Sequence, residues 1–481
     1  VQTLLNKGVM NTGLVVAEGY DYEIIEKMYK PHDNIGILAT LKTSGSVEKT
    51  IVSSIMSSLC ADSENKKDFD ELKRIFSKKS LQLVSFTITE KGYSLKNSAG
   101  SFAENVQEDF RNGPEKCTSY MGKVVALLYS RFVNGALPIA MVSMDNCSHN
   151  GEKLYEAVNT FAKNWEENKV VQKGFCDYVN NGKVSFPWTM IDKITPRPDK
   201  KVEEILLKDG IDELESVITT KKTYVAPFVN AEECQYLVIE DNFPNGRPNL
   251  EKAGVYFTDR QTVEKVEKMK VCTCLNPLHT VLAVFGCLLG YTLISSEMND
   301  SDLKKLVEIV GYKEGLPVVV DPKIISPQKF IDEVVNIRIP NPFMPDTPQR
   351  IACDTSQKLA IRFGETIKAY EKRSDLDVSS LKVIPLLFAG WIRYLMAIDD
   401  SGKTFELSPD PLLADVCKYV KEIKIGNNTN IEREIKPLLL RKDIFGVDLY
   451  ESGLSSKVLE YFNLMISENG AVRKTIQKVI A

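Results

Sequence analysis

The sequence predicts an α/β domain followed by a mostly α-helical domain, and three observations predict this organisation. The 481 residues are long enough for two domains. In the first half, short apolar runs alternate with amphipathic helical patterns, which is typical of β-α-β units. From about Gln261 onward the patterns are mostly helical. We therefore place the two domains at residues 1–262 and 263–481.

The first domain is predicted to contain a sheet built from four short apolar runs. These predicted strands are residues 14–17, 35–41, 81–88 and 137–142. Amphipathic patterns between them predict helices at residues 68–76, 123–132 and 151–164. The alternation predicts a parallel sheet with helices on its faces. After a connection through residues 187–199, residues 223–228 and 235–240 are predicted to be strands of a smaller β insertion.

The second domain is predicted to be built from helices. The predicted helices are residues 303–310, 327–335, 355–373, 412–422 and 455–468. Two apolar runs, 278–294 and 383–398, are short for a membrane span and are interrupted by glycine, threonine, proline or arginine. We therefore predict that both runs are buried helices.

Composition and charge argue against several classes of protein. A net charge of −4 gives no basic footprint for nucleic acid. Ten cysteines are scattered without a dense framework, which is typical of reduced thiols inside the cell. Cys272 and Cys274 are separated by one residue and the chain has only three histidines, so no metal site is expected. We expect a cytoplasmic monomer or small homo-oligomer, without a nucleic-acid or membrane partner.

One segment near the start of the second domain combines a cation, a carboxamide and an imidazole. Pro277 suits the first position of a helix, which makes Asn276 its cap. His279 then lies three residues on, on the same face as Asn276. Together with Lys270, these groups can bind a hydroxyl, move its proton and stabilise an oxyanion. The alternative is a simple helix cap, a solvated lysine and a core histidine.

Two further segments follow predicted strands. Asp145 and Asn146 stand at the carboxyl end of the strand 137–142, the edge at which open α/β sheets bind ligands. Ser85, Thr87 and Thr89 run from a strand into a turn and can line a cofactor ring or ribose. The alternative for these three hydroxyls is the ordinary alternation of a half-buried strand.

An acidic residue ends the first predicted strand. In a dinucleotide fold, such a residue after the second strand accepts hydrogen bonds from the adenosine ribose and repels the 2′-phosphate of NADP. If the strand 14–17 is the second strand of that fold, Glu18 predicts a preference for NAD. Asp21 is the less favoured candidate, and a surface carboxylate in a loop is the alternative.

A fourth segment carries two cations. Arg350, Asp354 and Lys358 are predicted to share one face of a helix. They can offer a cationic pocket to a carboxylate or polyol, since arginine matches such groups bidentately. The alternative is a surface ladder of ion pairs.

Taken together, these segments resemble the long-chain polyol dehydrogenase family, which includes mannitol 2-dehydrogenases and fructuronate reductases. The resemblance covers nearly the whole chain in order. The matching segments are Thr-Ile-Thr-Glu-Lys-Gly-Tyr at 87–93, Ser-Met-Asp-Asn at 143–146 with Asn150 and Gly151, Met-Ile-Asp-Lys-Ile-Thr-Pro at 190–196, the group Lys270, Asn276 and His279, and the stretch from Arg350 to Lys358.

The resemblance implies a Rossmann-type NAD-binding domain and zinc-independent hydride transfer to or from NAD. It implies that Lys270 is the general acid/base, that Asn146 and Asn276 form an oxyanion hole, and that His279 orients the substrate. The residues it implies for the cofactor are Glu18, Ser85, Thr87, Thr89 and Asp192, and those for a sugar acid or polyol substrate are Lys91, Arg350 and Lys358.

The sequence departs from the family pattern in three places. The family spaces its lysine five residues before the asparagine, whereas Lys270 precedes Asn276 by six and Lys268 by eight. A one-residue helical bulge can absorb this difference, so we prefer Lys270. Pro277 replaces the usual small residue after the asparagine. No glycine-rich turn precedes the strand 14–17, so we expect that the first strand and that turn are missing and that the chain as given binds NAD weakly.

The leading functional hypothesis is an NAD-dependent reductase that interconverts D-fructuronate and D-mannonate. It rests on Glu-Lys-Gly-Tyr at 90–93, which resembles fructuronate reductases more than mannitol dehydrogenases. One alternative is a mannitol 2-dehydrogenase, acting on D-mannitol and D-fructose. Another is a non-catalytic carbohydrate- or nucleotide-binding homologue.

Overall fold

A computed structural model describes residues 1–426 and 430–481 of the chain. These residues form two compact units. Unit 1 comprises Val1–Lys42 and Ser46–Glu264, and unit 2 comprises Thr43–Gly45 and Lys265–Ala481. The division after Glu264 falls two residues beyond the predicted boundary at 262.

Strands occur in unit 1. They are β1 (Leu14–Glu18), β2 (Gly36–Leu41), β3 (Val47–Val52), β4 (Ile55–Cys60), β5 (Leu83–Phe86), β6 (Ile139–Ser143), β7 (Val184–Ser185), β8 (Thr189–Asp192), β9 (Val217–Ile218), β10 (Tyr224–Val225), β11 (Phe228–Glu232), β12 (Tyr236–Glu240) and β13 (Tyr256–Thr258). Its helices are α1 (Gln2–Asn6), α2 (Lys66–Phe76), α3 (Thr89–Gly92), α4 (Glu104–Asn112), α5 (Tyr120–Val133), α6 (Asn150–Glu167), α7 (Phe175–Asn180) and α8 (Lys200–Lys208).

Helix α9 (Arg260–Met269) contains the division between the units, and the later helices belong to unit 2. They are α10 (Asn276–Leu289), α11 (Ile294–Glu297), α12 (Ser301–Glu308), α13 (Pro327–Glu333), α14 (Pro348–Ile351), α15 (Glu365–Glu371), α16 (Val383–Tyr394), α17 (Leu413–Cys417), α18 (Ile431–Leu439), α19 (Lys442–Phe445), α20 (Ser455–Met465) and α21 (Ala471–Ile480). Unit 2 also contains π-helical turns at Lys270–Cys274, Ile309–Gly315, Val334–Arg338 and Ala360–Gly364.

Parallel strands form the centre of unit 1. Strand β6 lies between β5 and β7 and is parallel to both, with Leu83 opposite Ala140 and Ile139 opposite Val184. Every residue of β6 is buried, as expected of a parallel strand covered by helices on both faces. A second parallel pair joins β1 to β4. The prediction of parallel β-α-β units is therefore confirmed.

The structure corrects the prediction in four places within unit 1. Strand β2 is not in the parallel sheet, because it forms an antiparallel hairpin with β3 and a parallel pair with β11. The strands β3 and β4 were missed because polar residues interrupt their apolar pattern. The predicted strand 223–228 is divided between β10, at residues 224–225, and Phe228, the first residue of β11. Residues 189–192 form β8, which pairs with β12, rather than an irregular connection.

Unit 2 is helical, as predicted, but several helices are shorter or less regular than their patterns suggest. The predicted helix 355–373 consists of a 3₁₀ turn, a π turn and α15 in succession. The predicted helix 412–422 contains only α17. The apolar run 383–398 contains α16, whose twelve residues are all buried. The Glu314 carboxylate accepts hydrogen bonds from the backbone N–H groups of residues 382–384 and so caps α16.

Three further properties bear on the predicted class of protein. All ten cysteines are free thiols. One helical stretch in the described part of the chain, Arg260–Leu289, is long and apolar enough to cross a membrane, and 78% of its most apolar window is buried in the fold. Within residues 1–426 and 430–481, no group of three or more histidine, cysteine, aspartate or glutamate side chains is placed to hold a metal ion.

The guanidinium of Arg131, in α5, is fully buried and donates hydrogen bonds to five backbone carbonyl groups. It donates to the carbonyl of Phe76, the last residue of α2, and to that of Lys78, two residues later. It also donates to Leu81, just before β5, and to residues 137 and 138, just before β6. One side chain therefore fixes the starts of the two neighbouring parallel strands.

We predict that Arg131→Met lowers the free energy of unfolding by about 3 kcal/mol or more, because several buried carbonyls lose their donor. Arg74→Met is the matched control, since Arg74 is exposed and bonds to Glu71, and its effect is expected within about 0.5 kcal/mol. Urea unfolding followed by tryptophan fluorescence measures both. Equal, small effects of the two substitutions would contradict the role of Arg131.

Glu297, in α11, is a buried acid in unit 2, and its two carboxyl oxygens have no hydrogen-bond partner among the residues that the structure describes. It packs against the backbone of α10 at Gly286, where a Cβ atom would lie 2.2 Å from Oε1. Burial, and then the nearby charge of Asp300, raise the pKa of this carboxyl from 4.5 to about 9. The folded protein therefore holds Glu297 in its neutral form near pH 7.

We predict that this acid makes the protein less stable as pH rises from about 4.5 to about 9. In that window the folded state keeps a proton that the unfolded state has lost, so the free energy of unfolding falls by up to about 1.4 kcal/mol per pH unit. Glu297→Gln should remove this slope and become more stable than wild type as pH increases. Thermal unfolding between pH 6 and pH 9 tests the prediction, with exposed Glu371→Gln as control. Parallel pH profiles for wild type and Glu297→Gln would contradict it.

Candidate active site

Unit 1 contains a cavity of about 1050 Å³ at the carboxyl ends of β1 and β5. The first residues of α5 form another wall. Five residues predicted to bind the cofactor or substrate line it, namely Glu18, Ser85, Thr87, Thr89 and Lys91. The structure thus brings together residues up to 73 positions apart in the sequence. Asp192 does not join them, because it is buried at the end of β8 opposite Tyr236.

The structure distinguishes the two acidic candidates after β1. One oxygen of Glu18, Oε1, accepts hydrogen bonds from the backbone N–H groups of Tyr20 and Asp21, at 2.7 and 3.1 Å. The other oxygen of Glu18 is available to a ligand in the cavity. Asp21 is buried and accepts a hydrogen bond from the Thr219 hydroxyl over 2.5 Å. Glu18 is therefore the better candidate for the adenosine ribose.

Two lysines of the cavity wall were missed by the sequence analysis. Lys123 is buried and donates to the carbonyl of Gly19 and to the hydroxyl of Tyr22, at 3.2 and 2.7 Å. Burial lowers the pKa of Lys123. Lys221 lies over the ring of Tyr20, 4.2 Å from its centroid. Isolated lysines form no pattern in the sequence. Two cations on the wall of this cavity make it a candidate site for an anionic group such as the phosphates of a dinucleotide.

Asn146, the predicted oxyanion ligand of unit 1, lies in the loop between β6 and α6 and is exposed. The preceding residue, Asp145, binds the turn that carries Thr89 and Lys91. Its carboxylate accepts hydrogen bonds from the backbone N–H of Ile88 and of Thr89. The prediction that Asp145 and Asn146 follow a buried strand at its carboxyl end is confirmed.

In unit 2, Lys270 begins a π-helical turn that runs to Cys274. A π turn contains one residue more than an α turn, so the predicted bulge between Lys270 and Asn276 is confirmed. Lys270 is 4% exposed, whereas Lys268 is exposed. A side chain held inside the protein is better placed than a solvated one for directed proton transfer.

The structure corrects the predicted start of α10. The helix begins at Asn276 itself, its cap position is Leu275, and Pro277 is the second helical residue. The reason is that the π turn leads directly into α10, with the backbone N–H of Leu275 bonded to the carbonyl of Lys270 over 3.1 Å. Asn276 and His279 nevertheless lie three residues apart in the first turn of one helix, as predicted.

His279 has three arginines and one carboxylate in its electrostatic surroundings. Burial lowers its pKa to about 4, the charges of Arg338, Arg362 and Arg350 act in the same direction, and Asp346 opposes them. His279 is therefore neutral near pH 7 and can orient a hydroxyl group by donating or accepting a hydrogen bond.

The fourth segment does not form the predicted helix face. Helix α14 ends at Ile351 and Asp354 adopts a left-handed conformation, with φ of 54°, so Arg350, Asp354 and Lys358 do not share a face. Arg350 pairs with Asp346. Lys358 donates to the carbonyls of Ile351 and Cys353. The sequence contains no proline or glycine that signals this break.

Arg362 is a second functional candidate that the sequence analysis missed. Its Nη1 donates to the hydroxyl of Thr280 over 2.6 Å, and that hydroxyl donates to the carbonyl of Asn276 over 2.9 Å. Burial lowers the pKa of Arg362 to about 10. No carboxylate in the described part of the chain lies within ion-pair distance of this guanidinium. It therefore offers an uncompensated positive charge next to the helix turn of Asn276 and His279.

The sequence and the fold match known proteins along almost the whole chain. The mannitol dehydrogenase Rossmann domain matches residues 13–252, and the mannitol dehydrogenase C-terminal domain matches residues 262–465. A D-mannonate oxidoreductase from Thermotoga maritima is 55% identical, over 100% of this chain and 89% of that protein.

Two solved structures share the fold. A D-sorbitol dehydrogenase in substrate-free form has a TM-score of 0.78 and 24% identity, over 98% of this chain and 90% of that chain. Mannitol 2-dehydrogenase from Pseudomonas fluorescens, in a ternary complex with NAD and D-mannitol, has a TM-score of 0.63 and 23% identity, over 98% of this chain and 95% of that chain.

The chain therefore belongs to the mannitol dehydrogenase family. The predicted family, the α/β fold class with its Rossmann-type domain, and the class of NAD-dependent oxidoreductase are confirmed. The roles of single side chains stay predictions.

For the proton-transfer residue, we predict that Lys270→Ala lowers kcat by about 10²- to 10⁴-fold, the usual contribution of a positioned acid/base group. Lys268→Ala, the matched control two residues earlier, should leave kcat nearly unchanged. Both are measured as carbonyl reduction followed by NADH absorbance. If the Lys268 variant is the inactive one, the π turn does not compensate for the extra residue in the way described.

Proposed function

We propose that this protein is an NAD-dependent reductase that interconverts D-fructuronate and D-mannonate in the cytoplasm. The observation that carries the proposal is the 55% identity, along the full chain, to a D-mannonate oxidoreductase. The free thiols of all ten cysteines support a reducing, intracellular location.

The charges of unit 2 support a sugar acid rather than a neutral polyol. The charges of Arg338, Arg362 and Arg350 act on His279 in one direction, and Asp346 opposes them. The Arg350 side chain, which pairs with Asp346, is 61% exposed and can reach a ligand. No carboxylate among residues 1–426 and 430–481 lies within ion-pair distance of Arg362. A substrate carboxylate supplies the missing negative charge, whereas the hydroxyl groups of mannitol cannot.

The proposed chemistry assigns one task to each group. When bound, NAD would supply the hydride acceptor for alcohol oxidation, and NADH the hydride donor for ketone reduction. Lys270 takes the hydroxyl proton in the first direction and gives it back in the second. The amides of Asn146 and Asn276 donate hydrogen bonds to the substrate oxygen as it becomes negative. Neutral His279 orients a neighbouring hydroxyl, and Arg362 with Arg350 holds the carboxylate.

Glu18 supports NAD rather than NADP as the cofactor. Its free carboxylate oxygen suits the two hydroxyls of an adenosine ribose and repels a 2′-phosphate. Lys123 and Lys221, on the wall of the same cavity, suit the pyrophosphate that both cofactors carry.

A spectrophotometric screen with NADH against fructuronate, tagaturonate and fructose, and with NAD against mannitol, tests the function. We predict that fructuronate has the highest kcat/KM. Arg362→Met should raise the KM for fructuronate about 10-fold or more, since a charge-assisted hydrogen bond contributes about 1.5–3 kcal/mol, while the KM for NADH stays the same.

The matched control is Arg373→Met, because Arg373 lies in unit 2 and pairs with Asp375 near the surface. It should change neither constant. Higher kcat/KM for fructose than for fructuronate would instead identify a mannitol 2-dehydrogenase, and inactivity on all four compounds would favour a binding protein.

A further inference from the structure

The carboxylate of Asp145 accepts three hydrogen bonds from a single turn of unit 1. The backbone N–H groups of Ile88 and Thr89 donate to its two oxygens, at 3.0 and 2.9 Å. The hydroxyl of Tyr93 donates to it over 2.5 Å. Thr89 has a φ of +61°, a conformation that costs a β-branched residue energy and needs support from its surroundings. Asp145 supplies that support.

Buried polar groups hold the main chain of Asp145 from the other side. The Asn150 amide donates to the carbonyl of Asp145 over 2.9 Å and to the hydroxyl of Thr189 over 2.8 Å. The Thr189 hydroxyl donates to the carbonyl of Ser143 over 2.7 Å. Asn150, Thr189 and Ser143 are all buried. Any displacement within this network leaves a buried polar group unsatisfied, so the arrangement is rigid.

The connected segments carry candidate site residues. The turn held by Asp145 contributes Thr89 and Lys91 to the cavity of unit 1. The residue after Asp145 is Asn146, the proposed oxyanion ligand. The carboxylate of Asp145 thus connects the turn that lines the cavity with the loop that carries Asn146.

We propose that Asp145 is a positioning residue that holds the cofactor turn and the Asn146 loop in a fixed relation. The inference rests on the proposed function. Hydride transfer requires the nicotinamide carbon and the substrate carbonyl carbon to be placed within fractions of an ångström of their reactive positions, and the oxyanion ligand holds the oxygen on that carbon. A rigid connection between the turn and the loop lets a bound cofactor and an oxyanion ligand meet that requirement without rearrangement.

The test compares Asp145→Asn with the same substitution at a carboxylate outside the site that also accepts hydrogen bonds from two backbone N–H groups. Asp400, in unit 2, accepts backbone N–H bonds from Val472 and Arg473 on its two oxygens, at 2.8 and 3.1 Å. Asp145→Asn and Asp400→Asn should lower the melting temperature by similar amounts. Only Asp145→Asn should lower kcat per folded molecule, by about 10- to 100-fold, and raise the KM for NADH.

A second measurement does not depend on the substrate. Titration of NADH, followed by its own fluorescence, reports the surroundings of the nicotinamide ring in the binary complex. Asp145→Asn should shift this emission and weaken binding, and Tyr93→Phe should do the same to a smaller degree. The double variant should be no worse than Asp145→Asn, because both substitutions break one network.

The outcomes separate the two proposals. If Asp145→Asn changes only the melting temperature, with kcat and the NADH emission as in wild type, the positioning role is overturned. If wild type is inactive on every sugar while Asp145→Asn still alters NADH binding, the proposed function fails and the connection to the cofactor turn stands.

Discussion

The buried guanidinium of Arg131 is the interaction on which the geometry of unit 1 depends. It binds carbonyls at the end of α2 and just before β5 and β6. These two strands run in parallel from that anchor to the edge where Ser85 and Asp145 emerge. An arginine can do this because its five N–H donors lie in one plane, whereas lysine offers only a point charge. Arg131 therefore fixes the two strands at one end of the sheet, and the cavity lies at the other end.

Polar groups buried in unit 2 serve different purposes according to their partners. Both carboxylate oxygens of Glu314 accept hydrogen bonds from backbone N–H groups at the start of α16. Glu297 has no hydrogen-bond partner in the described part of the chain and stays neutral. Arg362 donates to Thr280, and no counter-ion for it lies among the described residues. Of these three groups, Arg362 is the permanent charge, and this supports its proposed role in binding a substrate carboxylate.

The sequence predicted those parts of the fold that local patterns encode. The continuous apolar run of β6 and the amphipathic stripe of α6 were recognisable, and so was Asn146, because it directly follows a buried strand. The hairpin of β2 and β3 was not, since its outer strand alternates with charged residues such as Lys49. The break after α14 was also hidden, because Asp354 adopts a left-handed conformation that glycine or asparagine would have signalled. Arg362 and Lys123 could not be recognised from the sequence, because their burial and their neighbours depend on the folded structure.

The π turn at Lys270–Cys274 shows how a chain can gain a residue without disturbing its neighbours. An insertion into a regular α-helix rotates everything beyond it by about 100°. When one wide π turn takes up the extra residue, the residues beyond it are not rotated about the helix axis. Asn276 and His279 therefore keep their directions on α10. For a motif on a helix, the relevant spacing is therefore the number of turns between two side chains and not the number of residues. A search that demands a fixed residue count between lysine and asparagine would overlook chains like this one, although their side chains are presented in the same order around the helix.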